Sequence, residues 1–173
     1  MWLHPRYTID TIYHLKPDQL AKQGIKAVFS DLDNTLLAWN EAETAQEMKQ
    51  LKQDLQAAGI RLVVISNNSD ERVGKVLDPW GIEFIAHARK PLPTGIMRGL
   101  RKFHLQKDQV LMVGDQLITD IQAANIAGVG SVLVKPLVET DKWNTRINRF
   151  FEKIIFGIFI VTGRRVTFEE HLK

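Results

Sequence analysis

Residues 25–36 read IKAVFSDLDNTL, and this stretch decides the fold of the chain. It is a short run rich in branched and aromatic side chains that ends in two carboxylates, Asp31 and Asp33, and the hydroxyl of Thr35. Such a run predicts a buried strand at the centre of a parallel sheet. Ligands of parallel sheets bind beyond the carboxyl ends of the strands, where both acids would lie. The simpler alternative is a turn of solvated acids shaped by Asn34 and Thr35.

Outward from this stretch, apolar runs alternate with amphipathic segments. We predict further strands over 61–65, 82–86, 110–113 and 130–134, and helices over 17–23, 41–58, 69–80, 94–103 and 119–127. Ser69 or Asp70 would cap the third helix and Thr119 the last. Residues 1–16 lack periodicity, which predicts an irregular arm packed on the body. The alternation predicts an α/β fold, with three layers around a parallel sheet of about five strands.

The composition is that of an ordinary globular protein. With 173 residues, 45% hydrophobic and 25% charged, the chain is long enough for one three-layer domain. We assign residues 1–173 to that domain, with the core at about 17–140 and a basic aromatic segment at 141–173. The absence of cysteine excludes disulfides, thiolate catalysis and zinc–thiolate sites. The first ten residues lack the apolar stretch of a secretory signal, so we expect none.

Polar side chains follow four predicted strands at the point where each strand ends. Asp31, Ser66, Lys90 and Asp115 should therefore gather at one edge of the sheet. Acids without a soft ligand suit Mg²⁺, and an ammonium, a hydroxyl and amide donors suit a phosphoryl group. The cluster predicts phosphoryl transfer, with Asp31 as the nucleophile that forms an aspartyl-phosphate and Asp33 as the general acid and base.

The motifs that carry this chemistry are Asp31-Leu32-Asp33-Asn34-Thr35, Ser66, Lys90 and Gly114-Asp115…Asp120. In order and spacing they resemble those of the haloacid dehalogenase superfamily, in its phosphatase branch, over about residues 25–134. The resemblance implies that Ser66 and Lys90 hold the phosphoryl oxygens. It also implies that Asp115 binds Mg²⁺ together with Asp31 and the backbone carbonyl of Asp33.

Three further residues are assigned supporting roles. Asp120 would orient Lys90 or a metal-bound water, Thr35 would fix the loop, and Asn67 would be a polar contact to the phosphate. The residues by themselves also fit purely structural roles. Ser66 could cap a helix, Lys90 could be a solvated loop lysine, and Asp120 could act only as a cap or an ion-pair partner.

Many members of the superfamily carry a cap domain that covers the site. Here the segment between Thr35 and the second strand is long enough for one helix only. The segment between Ser66 and Lys90 is long enough for one helix and one strand, so no cap is expected. An open cleft favours either closure by an oligomer partner or a large substrate, such as a protein, a nucleic-acid end or a lipid headgroup.

The C-terminal segment concentrates positive charge. From Lys142 onward seven Lys and Arg stand against three Glu, although the whole chain has a net charge of only +3. Residues 143–165 contain an apolar run too short to cross a bilayer, with basic and aromatic neighbours, which is typical of a helix lying on an anionic membrane. A last helix or strand that covers the sheet fits the same pattern.

The whole chain also resembles the YqeG-type group of capless phosphatases, which is related to the mitochondrial phosphatase of phosphatidylglycerophosphate. The resemblance implies hydrolysis of that lipid to phosphatidylglycerol by a cytoplasmic protein, in peripheral contact with the inner face of the membrane. Two alternatives remain: a phosphatase of soluble nucleotide, sugar or protein phosphates, and a non-catalytic module that binds nucleic acid. The intact set of acids and lysine favours an enzyme, and no nucleic-acid partner is expected.

Overall fold

The computed structural model describes residues 3–38 and 41–137, and these form alternating strands and helices. The strands are β1 (Tyr7–Ile9), β2 (Ala27–Ser30), β3 (Arg61–Ile65), β4 (Glu83–Ile85), β5 (Val110–Gly114) and β6 (Gly130–Val134), and the helices are α1 (Pro17–Lys22), α2 (Glu41–Ala57), α3 (Asp70–Leu77), α4 (Thr94–Lys102) and α5 (Gln122–Ala127). The six strands pair in parallel in the order β1-β6-β5-β2-β3-β4. The predicted α/β fold is confirmed, with six strands where about five were expected. The basic segment 141–173, with its predicted membrane contact at 143–165, lies outside the described residues.

Helices cover both faces of the sheet because successive strand residues point to opposite sides. Val28 of β2 belongs to a buried cluster with Met48 and Leu55 of α2, and that cluster also includes side chains of α1 and α3. Its neighbour Phe29 belongs to a second cluster with Ile96 of α4 and with alanines of α5. The sheet is thus the middle of three layers, as predicted. None of the helices within 3–38 and 41–137 is long and apolar enough to span a bilayer.

The strand order places a crevice beside the end of β2. The chain runs from β2 outward through β3 to β4, and then returns to the other side of β2 to form β5 and β6. Connections that follow β2 and β5 therefore diverge, which opens a space at the carboxyl edge of the sheet. In the described part of the β2–β3 connection the only helix is α2, and from β3 to Lys90 there are α3, a short helical turn and β4. The described parts of both connections contain no inserted cap domain, as expected.

The N-terminal arm is more regular than predicted. It packs on the body, since Ile9, Ile12 and Leu15 are buried, but Tyr7–Ile9 forms β1 and pairs with β6. The prediction of an irregular arm was therefore wrong. A strand of three residues is too short to display an alternating pattern, and its conformation is set by the free edge of β6.

The predicted cap of the last helix was also wrong. A π-helical turn, Leu117–Ile121, precedes α5, and the Thr119 hydroxyl donates to the side chain of Gln116 at 3.2 Å. This wide turn directs the fully buried Asp120 toward the sheet. Ser69, in contrast, caps α3 as predicted, because its hydroxyl accepts a hydrogen bond from the Arg72 N–H at 3.4 Å.

A close contact of α4 can be tested by substitution. A Cβ added to Gly95 would lie 2.5 Å from the Cβ of Ala88 and 2.7 Å from its Cα. We expect Gly95→Ala to lower the free energy of unfolding by about 1–3 kcal/mol, measured by urea denaturation, because backbone must move. Gly74→Ala in α3 is the matched control, since its Cβ would meet the exposed side chain of Asp78 at 3.1 Å. Equal stability of the two variants would contradict this packing argument.

Candidate active site

Asp31 lies at the end of β2, beside the crevice. Its N–H donates to the carbonyl of Val113 in β5 at 2.9 Å, so the backbone of Asp31 continues the pairing of the central strands. The Ser30 hydroxyl donates to the Asp31 carbonyl at 2.7 Å. Both contacts fix the backbone, and the nearly buried carboxylate of Asp31 is held at the carboxyl edge of the sheet.

Lys90 connects Asp31 to Asp120. Its ammonium lies 2.6 Å from an oxygen of each carboxylate, and its side chain is only 4% exposed. Burial lowers the pKa of Lys90, but the charges of Asp120 and Asp31 and their hydrogen bonds outweigh burial and raise it. The lysine is therefore positively charged, and it is not the solvated loop residue of the alternative interpretation.

The loop that carries Lys90 is held by Asn67. The Asn67 side-chain oxygen accepts the Lys90 N–H at 2.7 Å, and its amide nitrogen donates to the Lys90 carbonyl at 3.0 Å. These contacts give Asn67 a role in positioning the lysine. Its predicted contact to phosphate is not tested by this arrangement and stays a prediction.

Asp115 and Asp120 complete the acidic cluster from the β5 side. The buried hydroxyl of Thr35 donates to Asp115 at 3.2 Å, which links the loop after β2 to the end of β5. The second oxygen of Asp120 accepts the Gln116 N–H at 3.1 Å. A Cβ at Gly114 would lie 2.3 Å from the Asp120 side chain, so glycine is required for this carboxylate to reach the lysine.

The three buried carboxylates form a candidate metal site. Ligand atoms of Asp31, Asp115 and Asp120 all lie within 4.8 Å of one another. Burial, followed by the charge of Asp120, raises the pKa of Asp31 to about 6, although Lys90 opposes the shift. Burial and the charges of Asp120 and Asp31 raise the pKa of Asp115 to about 8. Lys90 offsets one of the three negative charges, so a cation fits the remaining charge, and oxygen ligands suit a hard divalent ion.

Asp33 lies apart from this cluster, with its side chain 49% exposed. One carboxylate oxygen accepts a hydrogen bond from Arg72 at 3.1 Å, and the other accepts one from the Asn68 amide at 2.9 Å. Asn68 also donates to the buried hydroxyl of Ser66 at 3.2 Å, both from its backbone N–H and from its side chain. Ser66 and Asp33 are thus joined through one asparagine at the mouth of the crevice.

Asn68 and Arg72 are functional candidates that were not among the predicted site residues. Asn68 stands in the polar run that ends β3, and this position was the available signal. Arg72 is three residues beyond the helix cap, on the first turn of α3. It was missed because its contact with Asp33 joins residues 39 positions apart and depends on how α3 is placed.

Comparison with known proteins identifies relatives over most of the chain. A family model described as haloacid dehalogenase-like hydrolase matches residues 6–134. The chain is 34% identical to the probable phosphatase YqeG of Bacillus subtilis (strain 168), covering 88% of this chain and 89% of that protein. It is 31% identical to the probable mitochondrial phosphatidylglycerophosphatase of Schizosaccharomyces pombe, covering 67% and 62%. Its identity to phosphatidylglycerophosphate phosphatase 1 of Arabidopsis thaliana is 27%, covering 80% of this chain and 42% of the plant protein.

Solved structures share the same fold at low identity. An uncharacterised protein from Corynebacterium glutamicum superposes with a TM-score of 0.54 at 14% identity, covering 83% of this chain and 99% of that one. A predicted phosphoglycolate phosphatase from Haemophilus somnus gives a TM-score of 0.51 at 21% identity, covering 64% and 85%. At these identities the comparison supports the fold alone.

The acidic cluster predicts how stability depends on pH and Mg²⁺. The pKa values of Asp31 and Asp115 lie above the ordinary value of 3.8, so the folded protein binds more protons than the unfolded chain. Without metal, the free energy of unfolding should therefore fall between pH 4 and pH 8, by up to about 1.4 kcal/mol per pH unit for each titrating carboxyl. Mg²⁺ binds the ionised carboxylates, so the gain in melting temperature on adding Mg²⁺ should be larger at pH 8 than at pH 6.

Thermal melts with Mg²⁺ or with a chelator measure this gain. Asp115→Asn should reduce both the loss of stability with pH and the gain from Mg²⁺. Asp108→Asn, which changes an exposed acid on the surface, is the control and should keep both. A gain that is independent of pH, or that persists in Asp115→Asn, would contradict the assignment of this cluster as the metal site.

Proposed function

The chain belongs to the haloacid dehalogenase-like hydrolase family and is a phosphatase, and we propose that it hydrolyses the phosphomonoester of phosphatidylglycerophosphate through an aspartyl-phosphate. The observation that carries the chemistry is the position of Asp31. Its carboxylate lies 2.6 Å from the Lys90 ammonium and within 4.8 Å of ligand atoms of two further buried acids, at the carboxyl edge of the sheet. A nucleophile, a fixed positive charge and a set of oxygen ligands are what phosphoryl transfer requires of a protein.

The proposed reaction has two steps. In the first, a carboxylate oxygen of Asp31 attacks phosphorus, the bond to the leaving oxygen breaks, and Asp33 gives that oxygen a proton. In the second, Asp33 removes a proton from water, and the resulting hydroxide attacks the aspartyl-phosphate. Inorganic phosphate leaves and the Asp31 carboxylate is restored. Lys90 and Ser66 hold the phosphoryl oxygens in both steps.

We assign Mg²⁺ to the acidic cluster. Asp31, Asp115 and the backbone carbonyl of Asp33 would hold the ion. When bound, it would neutralise charge on the phosphoryl oxygens. Asp120 is committed to Lys90 and to the Gln116 N–H, which supports its assignment as the residue that orients the lysine.

The lipid substrate is supported by three observations from different sources. Two of the relatives are named for phosphatidylglycerophosphate. The described connections carry no cap domain, which leaves the site open to a headgroup at a membrane surface. The net positive segment beyond Lys142 suits an anionic surface, and we propose that residues 143–165 make that peripheral contact from the cytoplasmic side.

Phosphate release with Mg²⁺ tests this proposal. Phosphatidylglycerophosphate in anionic vesicles should be the preferred substrate over a panel of soluble nucleotide and sugar phosphates. Asp31→Asn should lower kcat by about a thousandfold or more, because an amide cannot accept the phosphoryl group. Asp108→Asn should retain wild-type kcat. Hydrolysis of soluble phosphates alone would reject the lipid, and full activity of Asp31→Asn would reject the mechanism.

A further inference from the structure

Arg72 is an exposed cation at the mouth of the site that the mechanism above does not use. Its guanidinium forms two contacts of 3.1 Å, one from Nη2 to Asp33 Oδ1 and one from Nη1 to Asn68 Oδ1. Its backbone is held by the cap of α3, so the side chain starts from a fixed point. The side chain is 59% exposed, so an anion in the crevice can reach the guanidinium from solvent.

These contacts hold the Asp33 carboxylate in one orientation, which must change before it can act as a general acid. Oδ1 accepts from Arg72 and Oδ2 accepts from Asn68, so a donor at each oxygen restrains the orientation of the carboxylate. A group that gives a proton to a leaving oxygen must bring its own O–H to that oxygen. Asp33 lies apart from the acidic cluster, so its carboxylate has to turn toward that oxygen, and the contacts with Arg72 and Asn68 oppose the movement. The contact with Arg72 is the one for which an anion from solvent can compete, because the guanidinium is exposed and exposed ion pairs contribute little to stability.

An anion on the substrate would be sufficient to break it. A guanidinium binds phosphate oxygens in a two-pronged geometry, and such charge-assisted pairs are stronger than a single contact to one carboxylate oxygen. We propose that Arg72 binds a second anionic group of the substrate, and that this binding releases Asp33 for proton transfer. In this way substrate recognition and acid catalysis are coupled through one side chain.

This inference rests on the proposed function and makes it more specific. Phosphatidylglycerophosphate carries a phosphodiester one glycerol unit away from the phosphomonoester that is cleaved. The monoester would lie against Asp31 and Lys90, and the diester would lie toward Arg72. A monophosphate without a second anion would leave the contact between Arg72 and Asp33 in place, and it would be a poor substrate.

Steady-state kinetics on three soluble probes test the inference without a membrane. The probes are dihexanoyl phosphatidylglycerophosphate below its micelle concentration, fructose 1,6-bisphosphate, and glycerol 3-phosphate, which has a single phosphate. Arg72→Gln should raise KM for the short-chain lipid about tenfold, because a charge-assisted contact is lost. With glycerol 3-phosphate it should raise kcat by about two- to fivefold, because Asp33 no longer has to be released from an exposed ion pair.

Two further variants sharpen the test. Arg72→Lys keeps the charge but not the two-pronged geometry, so its KM for the lipid should lie between those of the wild type and Arg72→Gln. Arg101→Gln removes an exposed arginine from α4 and should match the wild type on every probe. An equal fall in kcat on all probes in Arg72→Gln would overturn the inference, because Arg72 would then only orient Asp33. An unchanged KM for the lipid would overturn it as well.

The outcomes separate this inference from the proposed function. Hydrolysis of the short-chain lipid that is insensitive to Arg72 would keep the lipid substrate and reject the role of Arg72. If the wild type hydrolyses fructose 1,6-bisphosphate but not the lipid, and Arg72→Gln raises the KM for the bisphosphate, the lipid is rejected and the second-anion site is supported.

Discussion

The ion pairs of Lys90 are the interaction on which the site depends. Three carboxylates meet in a buried space, and one ammonium lies 2.6 Å from two of them. Removing a partner from such a group leaves an unpaired buried charge, which typically costs about 3–5 kcal/mol. The same lysine joins three segments that are distant in sequence: the end of β2, the loop after β4, and the π-helical turn after β5. The arrangement of the catalytic edge is therefore held together by charge as well as by the apolar core beneath it.

Several residues near the site are needed for the contacts that Lys90 makes. Gly114 has no Cβ because the Asp120 side chain occupies that space, and the wide turn before α5 aims Asp120 at the lysine. Asn67 binds both backbone polar groups of Lys90. These residues touch the lysine or its partner and need not touch the substrate. Their effect is to hold the positive charge in a fixed position beside Asp31, which is the kind of preorganised site that the proposed phosphoryl transfer would need.

The sequence was sufficient to predict the central part of this arrangement. Apolar runs that end in polar residues identified the strands around Asp31, and parallel order alone implied that their carboxyl ends would meet. What could not be predicted depends on tertiary contacts. The three residues of β1 become a strand only because β6 offers an edge, and Thr119 lies in a π-helical turn that no local pattern signals. The contact between Arg72 and Asp33 likewise follows from the placement of α3 and has no signature in either segment.

Asp31 is the residue proposed to carry the phosphoryl group, and this role can be measured directly. Asp33→Asn should form the aspartyl-phosphate with an activated phosphomonoester but release it slowly, because the base that activates water is missing. Rapid acid quenching followed by peptide mass spectrometry should then locate a phosphoryl group on Asp31, and the double variant with Asp31→Asn should show none. A phosphoryl group on another residue, or one that still forms in the double variant, would contradict the mechanism.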